Sequence, residues 1–384
     1  MVDLNTWTSE RVYHGAGDFY DAVLEDVAQA QTRVDLEVYI FDDDTLGRRV
    51  QDALEAAARR GVAVRVLADG FGSRRWGRRF VPGLLAAGVD ARVYKPMPWL
   101  FLQMGAFRIP SMARVLGLFG SLSRRNHRKV WLIDGRIAYV GSINVTVHHL
   151  GGATAGLGWR DTAVRVEGPP VAELEWGFVR AWSLSWRFRL AEGWRARLAP
   201  PRAPSGLVRL NDSSTARRSL HHDLLRRVSA AKARIWITNP YFIPGPRMMA
   251  GLCLAAHQHG VDVRLLVPRH PDVPLVRWVT ATFYGTLLRC GVRIFEYVPS
   301  VLHAKIFQID GWTTVGSSNL DDFSLLHNLE VDLVLTDRGA LAAVDHQFAM
   351  DLSQSQEVTL DSLEQRPWFD AVAGRFFRRF RTWM

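Results

Sequence analysis

Apolar residues first recur at helical spacing, Phe19, Val23 and Val27, and the pattern then tightens to a β-rich run over 34–41. A helix is predicted over 46–60, a buried strand over 61–67, a helix over 81–87 and a strand over 88–94. The same order returns further on: helix 220–231, strand 234–238, helix 248–259, strand 260–266, helix 273–290 and strand 291–297. A Gly-Val pair, beginning at Gly61, Gly88, Gly260 or Gly291, stands wherever a helix must stop and a strand begin. Glycine is favoured there because it enters the left-handed region without strain. Helices alternating with short β-rich runs predict an α/β architecture. Its repetition predicts two pseudo-twofold related halves, each a mixed β-sheet flanked by helices.

The halves are expected at 1–198 and 207–384, with the proline-rich stretch 199–206 as linker. Gly61 and Gly260 are offset by 199, and Gly88 and Gly291 by 203, but His127 and His303 by only 176. The difference, 203 − 176, leaves about 27 extra residues in the first half, between Tyr94 and His127. This insert, near 97–122, carries Trp99, Phe107, Leu116 and Phe119 and ends beside Arg124 and Arg125. It reads either as a lipid-facing lip or as a helical hairpin packed on the core.

The repeat carries a second pattern, this one chemical. Asn126-His127-Arg128-Lys129 is followed by Asp134 and then by Gly141-Ser142-Ile143-Asn144. His303-Ala304-Lys305 is followed by Asp310 and then by Gly316-Ser317-Ser318-Asn319. On a strand, residues i and i+2 share a face, so each histidine and its lysine project into one space. Ser142, Asn144, Ser317 and Asn319 can add hydroxyl and amide groups to it. This set suits a phosphodiester. One neutral imidazole attacks phosphorus, and the other starts protonated and gives its proton to the leaving alkoxide. Lysine and amide donors steady the phosphoryl oxygens without a metal or cofactor. Asp134 and Asp310, within the same catalytic motifs, suit orienting a histidine or holding a strand turn better than attacking anything.

Composition sharpens this picture in one respect. The chain has 48 basic residues but only four lysines, at 95, 129, 232 and 305, and two of those four occupy the motif. The net charge of +10 implies an anionic partner. Two cysteines, Cys253 and Cys290, make no disulfide framework and fit a reducing cytoplasm as small apolar residues. The first residues have neither the basic nor the apolar region of a secretory signal, and no run reaches the ~18 apolar residues a spanning helix needs. Pro367 could open an amphipathic helix with Trp368, Phe369, Val372, Phe376, Phe380 and Trp383 on one stripe and arginines opposite. Arg187, Arg189, Arg195 and Arg197 alternate with aromatic residues and suit lipid or nucleic acid equally. The pairs His148-His149 and His221-His222 are assigned surface or supporting roles, since adjacent side chains diverge.

In these motifs the chain resembles the phospholipase D superfamily over about 340 residues. Asp69-Gly-Phe-Gly-Ser73, Asn239-Pro-Tyr-Phe-Ile-Pro244 and Gly-Ser-Ser-Asn-Leu-Asp321 are similar to the short bacterial cardiolipin synthases. The resemblance implies one cleft shared by both halves and a phosphatidyl transfer from phosphatidylglycerol to a second lipid hydroxyl. Water as acceptor, in a hydrolase or nuclease, is the alternative. It further implies that Asp161 and Glu330 support the histidines, that Tyr241 belongs to the site, and that His127 is the nucleophile. The expected setting is the cytoplasmic face of an anionic membrane, peripherally bound, with lipid rather than nucleic acid as partner. Ser142, where the family often has glycine, and a hairpin one residue shorter after Asp310 are the departures.

Overall fold

The structure is a computed structural model that describes residues 5–96, 124–151, 158–185, 204–321 and 327–365. The insert near 97–122, the basic aromatic stretch 186–197, linker residues 199–203 and the amphipathic segment 367–383 lie outside the described residues.

The first sheet uses β1 (Ser9–Tyr13), β2 (Arg33–Val38), β3 (Ala63–Asp69), β4 (Asp90–Tyr94), β5 (Val130–Ile133), β6 (Ile137–Gly141) and β7 (Ala163–Glu167), in the order β1-β7-β6-β5-β2-β3-β4. The second uses β8 (Val208–Leu210), β9 (Arg234–Thr238), β10 (Asp262–Pro268), β11 (Arg293–Tyr297), β12 (Ile306–Ile309), β13 (Trp312–Gly316), β14 (Val331–Leu335) and β15 (Ser355–Val358). Its order, read from the other edge, is β8-β14-β13-β12-β9-β10-β11-β15. Strand for strand this repeats the first sheet and adds one edge strand. In each sheet three strands run parallel, and the motif strand pairs antiparallel to the first of them.

The predicted helices are present, with shifts at their ends. The one expected over 220–231 spans Ser214–Ala230, because Ser213 caps it by accepting from the Ala216 amide at 3.0 Å. The run over 34–41 leaves the ladder after Val38, and Phe41 makes only an isolated bridge to Val145. Gly61, Gly88, Gly260 and Gly291 all have positive φ where their helices end, as their place in the pattern requires.

One apolar core lies under the outer helices of each half. Between them a third core joins Val130, Leu132, Val140 and Val164 of the first sheet to Ile306, Val315 and Leu333 of the second. The halves therefore meet sheet to sheet. Trp7 crosses the boundary and donates its indole N–H to the Val334 carbonyl at 3.0 Å. Cys253 and Cys290 are free and half-buried rather than core, and burial together with the neighbouring Cys290 thiol pushes Cys253 up to about 12.

Candidate active site

Pairing places both motifs at one end of their sheets. Val130 lies opposite Glu37 near the carboxyl end of β2, and Ile306 lies opposite Thr238 at the carboxyl end of β9. His127 and Lys129 thus enter β5, and His303 and Lys305 enter β12, at the strand ends where α/β sheets form ligand crevices. Two short parallel bridges then stitch the halves together. The His127 amide donates to the Leu329 carbonyl at 3.0 Å, and the Leu329 amide to the Arg125 carbonyl at 2.8 Å. In mirror fashion the Arg160 amide donates to Val301 and the His303 amide to Arg160, each at 2.8 Å.

These bridges decide which carboxylate serves which histidine. Leu329 precedes Glu330 and Arg160 precedes Asp161, so each half delivers its acid to the other half's imidazole. His127 Nδ1 lies 3.0 and 3.1 Å from the two Glu330 oxygens, and His303 Nδ1 lies 2.8 Å from Asp161 Oδ1. Both carboxylates are buried, at 1% and 0% exposure, so each is a charge held by what surrounds it. Engaging Nδ1 leaves Nε2 as the ring nitrogen that could react.

The serines support these carboxylates. Ser142 Oγ donates to Asp161 Oδ1 at 2.6 Å, and Ser317 Oγ to Glu330 Oε2 at 2.5 Å. The preceding glycines have a plain steric reason. A Cβ on Gly141 would lie 2.4 Å from the Thr162 carbonyl oxygen, and one on Gly316 only 2.3 Å from that of Val331. Asn144 accepts the Ile40 amide on Oδ1 at 3.1 Å. Asn319 is as deeply buried, but its Oδ1 accepts no hydrogen bond among the described residues.

Lys129 Nζ donates to the His127 carbonyl at 2.6 Å, and Lys305 Nζ to the His303 carbonyl. One of three ammonium donors is thereby spent on the motif's own backbone, which aims the remainder. Burial, opposed by Asp161 and other acids, pulls Lys305 down to about 8, and burial draws Lys129 well below its usual value. Burial and the lysine charges also depress both histidines, His127 strongly and His303 to about 3 despite Asp161. In the free cleft both imidazoles therefore lean neutral. An anion placed between the lysines would oppose that pull.

Asp134 and Asp310 do not join this group. They cap the far ends of β5 and β12, in left-handed conformation at φ 52° and 50°. Asp134 accepts from the Gln31, Thr32 and Arg33 amides, and Asp310 from those of Lys232, Ala233 and Arg234. Of the two roles the sequence leaves open, holding the turn is the one the hydrogen bonds describe. The shorter second hairpin does not alter it. Burial pushes the Asp134 carboxyl up, but the amides outweigh it and hold it at about 2.

Three contacts escape the sequence reading. His149 is fully buried and places Nδ1 2.5 Å from Asp161 Oδ2, so Asp161 joins two imidazoles; His148 beside it is exposed. These direct nitrogen–oxygen contacts are hydrogen bonds, although His149, Asp161 and His303 have a donor set that could also hold a metal ion. Tyr39 packs edge-on against His127 with ring centroids 4.9 Å apart. Tyr241 donates its hydroxyl to Asp272 Oδ2 at 2.8 Å. The visible signals were the doubled histidine, where only folding could show which of the pair turns inward, and the resemblance that flags Tyr241.

Comparison with known proteins identifies the family. The family model described as cardiolipin synthase, PLD-like domain, matches residues 23–174 and 224–352. Cardiolipin synthase B of Salmonella typhimurium is 36% identical over 380 residues, covering 94% of this chain and 86% of that protein. Cardiolipin synthase 1 of Staphylococcus epidermidis is 32% identical, covering 91% and 68%. The crystal structure of phosphatidylserine synthase from Haemophilus influenzae superposes with a TM-score of 0.68 over 98% of this chain and 96% of that one, at 14% identity, a likeness of fold. With each motif histidine paired to an acid of the other half, the chain belongs to the cardiolipin synthase PLD-like family, phosphatidyltransferases of the phospholipase D superfamily.

Proposed function

We propose that the protein transfers a phosphatidyl group from phosphatidylglycerol to a second lipid hydroxyl, in two displacements at one phosphorus. His127 Nε2 attacks, the bond from phosphorus to the glycerol oxygen breaks, and His303 gives that oxygen a proton. The acceptor oxygen then bonds to phosphorus, the P–N bond breaks, and the acceptor's proton passes to His303. Splitting one displacement into two, with acid and base at hand, is worth typically 10²–10⁴-fold for the proton transfers alone. Lys129 and Lys305 meet the charge on the phosphoryl oxygens.

The observation that carries this reading is the crosswise pairing of His127 with Glu330 and of His303 with Asp161. It supports the same tautomer for both rings and ties the two motifs together across the boundary between the halves. The relatives named cardiolipin synthase support a lipid acceptor over water. The net charge of +10 supports peripheral contact with an anionic membrane at its cytoplasmic face. No helix among the described residues is long and apolar enough to cross a membrane.

Incubation of the purified protein with phosphatidylglycerol vesicles, followed by separation of the lipids, tests the reading. Cardiolipin with free glycerol is expected. Phosphatidic acid with glycerol would make the protein a hydrolase, and unchanged lipid would mean a different donor.

A further inference from the structure

The two walls of the cleft are not equivalent. On the first wall, after β3, Asp69 spends its oxygens on the Phe71, Gly72 and Asn126 amides, with Arg125 Nη1 3.9 Å away. That charge is absorbed in holding the chain that leads into His127. On the second wall the loop after β10 carries Asp272 at the corresponding sheet end. One of its oxygens takes the Tyr241 hydroxyl, and the other, Oδ1, is shielded from solvent and has no hydrogen-bond partner among the described residues. Buried acceptors are nearly always satisfied, so an unused one beside a reaction centre points to a donor brought by a ligand.

Asn319 repeats the asymmetry. In the first half the Ile40 amide occupies Asn144 Oδ1. In the second half the Tyr241 amide turns instead to Asn239 Oδ1, as does the Leu320 amide, and Asn319 Oδ1 is left without a donor among the described residues. Phe242 bridges to Leu320, so Tyr241 and Asn319 stand side by side in the chain paths that flank this wall. Asp272 also lies close enough to His127, His303 and Lys305 for its charge to raise the proton affinity of all three. Burial and Asp272 push the Tyr241 hydroxyl well above its usual range, so it stays a donor fixing the carboxylate.

We propose that Asp272, held by Tyr241, and Asn319 form a polyol-binding subsite that seats the hydroxyl-bearing headgroup of the acceptor in the second displacement. This rests on the phosphatidyltransferase reading. The chemistry favours a neutral polyol. A carboxylate repels the phosphoryl anion, which the two lysines attract, and those lysines in turn repel an ammonium headgroup. A glycerol headgroup offers one hydroxyl to attack phosphorus and another to donate to Asp272. Asp272 takes no proton in the step; it accepts a hydrogen bond while the attacking hydroxyl's proton goes to the imidazole. Water, with no second hydroxyl, gains nothing from the subsite, and so Asp272 biases the phosphatidyl intermediate towards lipid.

The test is the ratio of cardiolipin to phosphatidic acid made from phosphatidylglycerol vesicles by the wild-type protein and by Asp272→Asn. Both products come from the same active molecules, so a loss of folded protein leaves the ratio unaltered. Asp272→Ser is measured alongside in case the first variant cannot be purified. Losing a hydrogen bond to a charged acceptor should lower the ratio roughly tenfold or more, whatever the change in total glycerol release. A ratio unchanged while the wild type makes cardiolipin overturns the subsite alone. Phosphatidic acid alone from the wild type overturns the subsite and the transferase reading together. Labelled free glycerol in the medium separates the two sources of polyol. Its Asp272-dependent return into phosphatidylglycerol would keep the subsite with free glycerol as occupant.

Discussion

Replacing Glu330 by Gln tests the crosswise arrangement directly, because the perturbation is made in one half and its chemical effect belongs in the other. Both Glu330 oxygens lie within 3.1 Å of His127 Nδ1, and Ser317 Oγ holds Oε2 at 2.5 Å. Glutamine keeps the shape and removes the charge. A hydrogen bond to a charged group contributes about 1.5–3 kcal/mol, against about 0.5–1.5 for a neutral one. The His127 imidazolium should therefore lose about 1–2 kcal/mol, or roughly one unit of proton affinity. The larger effect comes from geometry. If the amide presents its NH2 to Nδ1, the ring must take its proton on Nε2, and the attacking lone pair is lost. Wrong-tautomer errors of this kind cost up to about 10⁴ in rate. A fall in kcat of about 10²–10⁴ is expected in the vesicle assay, with KM little changed because Glu330 does not reach substrate. Nitrogen-15 NMR of the histidines should show His127 perturbed in the opposite half and His303 unmoved. A kcat within about threefold of wild type, or a shift at His303 in place of His127, would refute the pairing.

His127→Ala and His303→Ala are each expected to abolish turnover in the same assay, and a near-normal rate in either would break the shared-site model. Asp134→Ala should leave kcat close to wild type while lowering the thermal midpoint. Its carboxyl is held at about 2, so its contribution is complete above about pH 4 and lost as pH falls through about 2. After screening at this partly exposed turn it amounts to about 1–2 kcal/mol. Calorimetry at pH 7 and at pH 2 checks this, since the gap between wild type and variant should close at the lower pH. Lys305, drawn down to about 8, is charged below that pH and neutral above it. The value of kcat/KM, which reports the free enzyme, should fall as pH rises through about 8. A flat profile from pH 7 to 10 would remove the lysine from phosphate binding.

Much of the fold was legible because its signals are local. Gly61, Gly88, Gly260 and Gly291 mark helix ends by a backbone conformation that few other residues adopt, and the runs between them have the period of a helix or a strand. The repeat told that the halves correspond, and the strand order bears this out position by position. The motif residues were legible too, since His-x-Lys needs only strand alternation to share a face. What could not be read was which groups meet across the chain. That Glu330 serves His127 and Asp161 serves His303 follows from bridges at Leu329 and Arg160, joining segments roughly 140 to 200 residues apart, which no local pattern encodes.

The aspartates show the same division. Their spacing after each lysine was plain, but whether they faced the histidines or the turn depended on amides contributed by 31–33 and 232–234. His149 looked no different from His148 until a buried carboxylate chose between them. The elements, the duplication and the paired imidazoles and lysines were legible along the chain, because each is written in residues near one another. Which acid meets which imidazole, and that Asp272 keeps an acceptor unused among the described residues, depend on burial and partnership between chain segments brought together from a distance.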